Sequence, residues 1–268
     1  MGRRRRKVER AERDGAAPEA PGAQGELLVG DPSWTEAGLE AGGAPKELVM
    51  FELVDEPAAV AERVVEPRRF AHARELTALG RVKEAMTLFR EIAEETPQSV
   101  KARHNLGVMY DSLGHHDLAL EQFEAARMLD PDNVDVLVNL GSALGSLGRY
   151  DDAERELKRA QRLAPDAVAV RASLGLLAFR RGLYQVADTE LRWVCEHDPE
   201  HGPAHFYRGE ALNRLGRVDQ AIEVLEHATR LQPTNHRAYF TMGILFDRKS
   251  MREEASAMYR KARELQQR

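Results

Sequence analysis

The chain has 268 residues, 43% of them hydrophobic and 31% charged, with a formal net charge of -5 at pH 7. That balance excludes a chain-wide polycation built for nucleic acid, and a lone cysteine, Cys195, excludes an internal disulfide framework. No apolar run reaches the roughly 18 residues that a membrane helix needs, so a cytoplasmic protein without membrane insertion is expected.

In chain order, residues 1–45 read as a disordered, charge-segregated arm. Arg3, Arg4, Arg5, Arg6, Lys7, Arg10 and Arg13 make its tip basic, whereas between 15 and 65 only Lys46 and Arg63 stand against a series of acids, and Ala, Gly and Pro dominate up to Pro45. Basic residues 3–13 are the one candidate for nucleic acid; an acidic partner, anionic lipid or plain solvation are the other readings. The tip leads into Glu, Asp, Pro and Gly rather than an apolar core, so no signal peptide is expected, and Arg6 replaces the Ser or Thr of a myristoylation pattern.

Residues 46–65 carry an apolar cluster, Leu48, Val49, Met50, Phe51, Leu53 and Val54, that must be hidden somewhere. The expectation is an N-terminal cap on the repeats that follow, running on as a short helix from Ala58 to Val65. Occupation of a binding groove and contact with another chain are the alternatives.

From residue 66 onward the sequence repeats with a period of 34: Pro97, Pro131, Pro165, Pro199 and Pro233 are in step with Gly107, Gly141, Gly175, Gly209 and Gly243. A strict period of that length means a solenoid of supersecondary units. Six units are expected, over 66–99, 100–133, 134–167, 168–201, 202–235 and 236–268. In the second unit Leu106, Gly107 and Tyr110 fall on one face of a first helix, and Ala119, Phe123 and Ala126 on one face of a second. Gly107 and Ala119 are small where two backbones approach, Gly114 ends the first helix with positive φ, and Pro131 stops the second. The unit is a helix-turn-helix hairpin that buries its apolar face only by stacking on neighbours. The first unit is weaker, with His72 and Ala73 at the Leu-Gly position, and the last has Ser250 at the turn glycine and no closing proline.

These columns closely resemble the tetratricopeptide repeat family. The second unit fills its signature positions with Arg103, Leu106, Gly107, Tyr110, Ala119, Phe123, Ala126 and Pro131, departing only where the family often has tryptophan. The third reads Leu137, Leu140, Gly141, Leu144, Ala153, Leu157, Ala160 and Pro165. The resemblance implies an all-α, right-handed solenoid whose first helices line a concave groove for extended or helical segments of other proteins. It therefore implies a non-catalytic scaffold or adaptor. A regulatory or targeting subunit of a separate enzyme or secretion complex, and a self-assembling structural protein, are the alternatives.

By position in the unit, the groove-facing candidates are Lys101, His104, Asn105, Val108, Asn139, Ser142, Ser173, Leu176, Phe206, Tyr207, Glu210, Arg237, Phe240 and Thr241. Asp111, Ser112, Val138, Arg180, Arg214 and Arg248 share the same faces. Asn105 and Asn139 occupy one position in successive units, and an amide that both donates and accepts can read a peptide backbone regardless of its sequence. Phe206, Tyr207 and Phe240 offer an apolar anchor or, equally, packing between helices. The carboxylate clamp of chaperone-binding members needs Lys and Arg where this chain has His104, Val108, Asn139, Ala169 and Ser173. Five steps of roughly 8 to 10 Å between first helices make a groove of about 45 Å, matched by about 13 extended residues.

No phosphate loop, nucleophile elbow or Cys-x-x-Cys is present, so no cofactor, metal or catalysis is expected. His197, His201 and His205 recur every four residues, but Pro199, Gly202 and Pro203 interrupt the helix that would align them. Cys195, beside Trp193 and Val194, reads as a small buried hydrophobe. The polar residues Arg252, Glu253, Glu254, Arg260, Lys261, Arg263 and Glu264 are expected to close the array and leave a monomer, with a homo-oligomer the alternative.

Overall fold

The computed structural model describes residues 67–267. The expected arm, the apolar segment 46–65 and the helix expected from Ala58 to Val65 lie outside the described residues. Among those described there are twelve helices and no strand. They are α1 (Pro67–Ala78), α2 (Val82–Glu95), α3 (Val100–Ser112), α4 (His116–Leu129), α5 (Val134–Ser146), α6 (Tyr150–Leu163), α7 (Val168–Arg180), α8 (Tyr184–His197), α9 (Gly202–Arg214), α10 (Val218–Leu231), α11 (His236–Arg248) and α12 (Arg252–Gln266).

Each odd-numbered helix packs on the even-numbered helix after it, and each even one packs on the next odd one. From α3 to α11 successive odd helices also touch each other, whereas no two even helices do. The odd helices therefore form the inner wall of a solenoid and the even helices its outer layer.

Local chemistry sets the hairpins. Ser99, Asn133 and Asn235 cap α3, α5 and α11 by accepting from the backbone N–H groups of Ala102, Val136 and Ala238 at 3.2 to 3.3 Å. Gly114 turns the chain after α3 with φ +77, and at the equivalent place after α11 Ser250 is held at φ +60, a conformation that costs a non-glycine residue energy.

The recurrent glycine inside each odd helix has a different role. A Cβ on Gly107 would lie 2.6 Å from the Phe123 ring, and on Gly141 2.6 Å from Leu157 Cγ; Gly175 meets Leu191, Gly209 meets Leu225 and Gly243 meets Tyr259 in the same way. The expected close approach of two backbones is thus an approach of backbone to side chain: the even helix drives a large apolar peg into a notch on its own partner. Leu157 and Leu191 are 1% exposed, so each peg is worth about 1.5 to 3 kcal/mol of burial. In the first hairpin Ala73 fills this place and is fully buried with Phe70 and Phe89.

One joint carries a buried charge. Asp188 on α8 has no exposed surface, yet its carboxylate accepts from Arg192 at 2.6 Å, Arg208 at 3.1 Å and Arg217 at 3.1 Å, so one anion ties α8 to α9 and to the turn before α10. At the end of the array, Arg252, Glu253, Glu254, Arg260, Lys261, Arg263 and Glu264 are all exposed.

Candidate functional site

The inner wall contains a cavity of about 310 Å³, walled by four successive odd helices and closed at its base by Leu191 of α8. Val108, Asp111 and Ser112 come from α3; Val138, Asn139, Ser142 and Ser146 from α5; Ala169, Ala172, Ser173, Leu176 and Arg180 from α7; Pro203, Ala204 and Tyr207 from α9, with His201 just before it. Valine, alanine and leucine supply an apolar floor, and hydroxyls, an amide and a guanidinium punctuate it.

The polar groups are held by neighbours across the wall. Asn139 Nδ2 donates to His104 Nε2 at 2.7 Å, and the Asn139 side chain makes no other hydrogen bond among the described residues. Its carbonyl and second N–H are therefore uncommitted. His104 is 1% exposed, tilted against Phe123, and burial holds its pKa down to about 4, so it is a neutral acceptor at physiological pH. Ser142 and Ser173 hydroxyls lie 3.5 Å apart, and Arg180 donates to Ser146 Oγ at 3.0 Å. Asp111 accepts from or pairs with His116 Nδ1 at 2.8 Å.

Of the groove candidates read from the sequence, Val108, Asn139, Ser142, Ser173, Leu176 and Tyr207 are brought together around this cavity. Others lie within the packing of the wall. His104 and Asn105 are buried, and Asn105 Oδ1 has no hydrogen-bond partner. Phe206, Glu210, Arg237 and Thr241 are buried between α9 and α11, where Arg237 covers the Phe206 ring at 4.9 Å and Glu210 is held well above the usual carboxylate range, first by burial, against a hydrogen bond from Thr241. Phe240 packs beside Tyr259 at 5.6 Å, and the Lys101 ammonium sits over Phe70 at 5.4 Å.

The physical reason for this division is side-chain size at one position of the odd helix. It is Val138 and Ala172 where the wall is open, and Phe206, buried under the Arg237 guanidinium, where it is filled. Ser146, Ala169, Ala172, Pro203 and Ala204, absent from the sequence-based candidates, line the cavity because they are small. Ser146 was signalled by its column, which also holds Ser112 and Arg180; the columns of the other four mix large and small residues and gave no signal.

Among the described residues no group of three or more His, Cys, Asp or Glu could hold a metal ion. His201 caps α9 by accepting from Ala204 N–H at 3.0 Å, His205 stacks on His227 at 4.3 Å, and His197 stacks on Trp193 at 3.7 Å. Cys195 is buried and its thiol is pushed up to about 11 by desolvation, the opposite of an activated nucleophile. No described helix is long and apolar enough to cross a membrane.

Family models for the tetratricopeptide repeat match residues 70–134, 112–177 and 173–236, a continuous stretch covering more than half of the chain. The chain belongs to the tetratricopeptide repeat family. No curated protein matches its sequence. Among solved structures, a crystal structure of MamA is 26% identical with a TM-score of 0.52, covering 60% of this chain and 95% of that one. The APC/C hetero-tetramer Cut9-Hcn1 aligns with a TM-score of 0.69 at 18% identity, over 74% of this chain and 39% of that one. A tetratricopeptide repeat protein from Parabacteroides merdae aligns with a TM-score of 0.61 at 17% identity, over 75% of this chain and 80% of that one. The last two likenesses bear on the fold alone. Tetratricopeptide repeats are protein-interaction scaffolds, and that general role follows from family membership.

Proposed function

We propose that this tetratricopeptide protein is a non-catalytic, cytoplasmic adaptor that holds a short segment of a partner protein in the cavity formed by α3, α5, α7 and α9. The observation that carries the reading is the combination of an apolar floor with an amide, Asn139, that has donor and acceptor capacity left over. Apolar area supplies affinity, and an amide reads the backbone of an extended chain without regard to its side chains. The cavity spans four helices, so a segment crossing it follows the groove rather than entering a single hole.

A photo-crosslinking residue at Ser142 tests this in the full chain, with one at Arg155, exposed on the outer layer, as control. A partner segment is expected to crosslink at 142 and not at 155, and a synthetic copy of that segment is expected to lose at least tenfold in affinity for Leu176→Arg. Equal crosslinking at both positions, or undiminished binding to the Leu176→Arg variant, refutes the reading.

A further inference from the structure

The inner wall is electrostatically lopsided. Arg180, Arg214 and Arg248 occupy the same place in α7, α9 and α11, the last turn of each helix, whereas the last turns of α1, α3 and α5 hold no basic residue. None of the three lies within salt-bridge distance of a carboxylate among the described residues. Arg180 donates to the Ser146 hydroxyl at 3.0 Å, Arg248 to Asn213 Oδ1 at 2.8 Å, and Arg214 lies over the Tyr184 ring at 5.9 Å. Each guanidinium reaches back to a neutral group of the preceding hairpin. Salt bridges form elsewhere in the array, where Arg149 and Arg155 pair with Asp152, Arg159 with Asp132, and Arg181 with Glu154, although Arg90, Arg162 and Arg230 on the outer helices make none among the described residues.

A helix C-terminus favours a cation, which accounts for an arginine at each of these places, but the partial charge there does not neutralise a guanidinium. The nearby acids are engaged elsewhere. Asp247 accepts from the Tyr259 hydroxyl at 2.7 Å and Asp219 pairs with Lys249 at 2.6 Å, while Glu210 is buried with its pKa raised by desolvation, against the weaker pull of Arg237 and Arg214, and makes no salt bridge to either. Arg180 belongs both to this row and to the cavity wall, so the row continues the groove.

The geometry points to an acidic partner segment as the occupant: an extended polypeptide with an apolar stretch in the cavity and a carboxylate opposite each of Arg180, Arg214 and Arg248. Adjacent helices lie roughly 8 to 10 Å apart and an extended chain advances about 3.3 Å per residue, so the carboxylates fall at about every third position. This rests on the groove reading above and adds the chemistry and spacing of what it takes. Guanidinium forks suit carboxylates. A single-stranded nucleic acid would want a platform of aromatic faces, and the cavity beside Arg180 offers only the Tyr207 phenol and the His201 imidazole, the latter engaged in capping α9.

The test uses the full chain and three synthetic 13-residue peptides with the same leucine-rich end: one with glutamate at every third position of the other half, one with the glutamates consecutive, and one with glutamines in their place. By fluorescence anisotropy at low salt the spaced peptide is expected to bind at least tenfold more tightly than the other two. Its affinity is expected to fall about fivefold for each of Arg180→Ala, Arg214→Ala and Arg248→Ala and on the order of 100-fold for the triple variant, as for exposed charge pairs acting additively. The corresponding lysine variants keep the charge and should recover most of the loss, which separates recognition from misfolding. Equal binding of the three peptides, a triple variant within twofold of the parent, or tighter binding of a 13-nucleotide oligouridylate overturns the proposal. If the glutamine peptide binds as well as the spaced one and is lost on Leu176→Arg, the groove reading stands and the acidic preference falls. If no peptide is affected by Leu176→Arg, both fall.

Discussion

Two glycines of one helix should respond in opposite directions to the same added methyl group. Gly141 and Gly145 lie four residues apart in α5, both buried. In a helix interior, alanine is favoured over glycine by about 0.8 to 1 kcal/mol. At Gly145 a Cβ would meet Arg180 Nη1 at 3.4 Å and Leu177 Cδ1 at 3.6 Å, ordinary contact distances, so Gly145→Ala should keep nearly all of that gain. At Gly141 the Cβ would lie 2.6 Å from Leu157 Cγ and 2.8 Å from its Cδ2, and Leu157, at 1% exposure, has nowhere to swing. Forcing such an overlap costs about 1 to 3 kcal/mol. With two branch atoms inside 3 Å the upper end applies, and Gly141→Ala should be destabilised by about 2 kcal/mol net, a gap of about 3 kcal/mol between the variants. Urea unfolding of the full chain, followed by far-UV circular dichroism, measures both. Leu157→Ala should cost less in the Gly141→Ala background than in the parent, because truncating the peg removes the clash as well as the packing. If Gly141→Ala is as stable as Gly145→Ala, or the two substitutions at 141 and 157 add without coupling, the peg-and-notch account of the hairpin is wrong.

Other outcomes follow from single groups. Asp188→Ala removes the buried acceptor shared by Arg192, Arg208 and Arg217, whose own side chains reach solvent, and should cost about 1.5 to 3 kcal/mol and broaden the thermal transition as the hairpins on either side uncouple. Ser250→Gly relieves the positive φ after α11 and should raise stability by about 1 kcal/mol in the same urea titration. His104, held down to about 4 when folded against an ordinary value near 6.5, favours the folded state in its neutral form; that contribution is complete above pH 6.5 and is lost as pH falls toward 4. The loss amounts to roughly 3 kcal/mol, and His104→Gln should flatten the acid limb of the stability curve over that window.

Periodicity made the hairpins readable because each column has one job that a single residue type performs. A glycine at 114 and a proline at 131 bound the same helices in the structure as in the sequence. The position of a side chain on the odd helix was legible too, but not whether the space in front of it is open. That depends on side-chain size in one column of the odd helices: Val138 and Ala172 leave Asn139 and Ser173 at a cavity wall, while in the stretch that holds Phe206 the residues Glu210 and Thr241 are buried. The Asp188 cluster was not legible at all, since its three arginines stand 4, 20 and 29 residues away and follow no repeat column. Arg180, Arg214 and Arg248 were visible as a column, but not that each would reach back to a neutral group of the preceding hairpin.

The anion at Asp188 makes the solenoid unevenly stiff. Bending between the hairpins α7–α8 and α9–α10 must part a desolvated carboxylate from Arg208 and Arg217, whereas α5 and α7 meet through apolar packing, Leu140 and Leu144 in one cluster with Leu177, together with a hydroxyl pair and a serine–arginine bond that water can replace. The α8–α9 joint should therefore resist bending, so that Arg214 and Arg248, which lie beyond it, move together with the hairpin that carries Asp188.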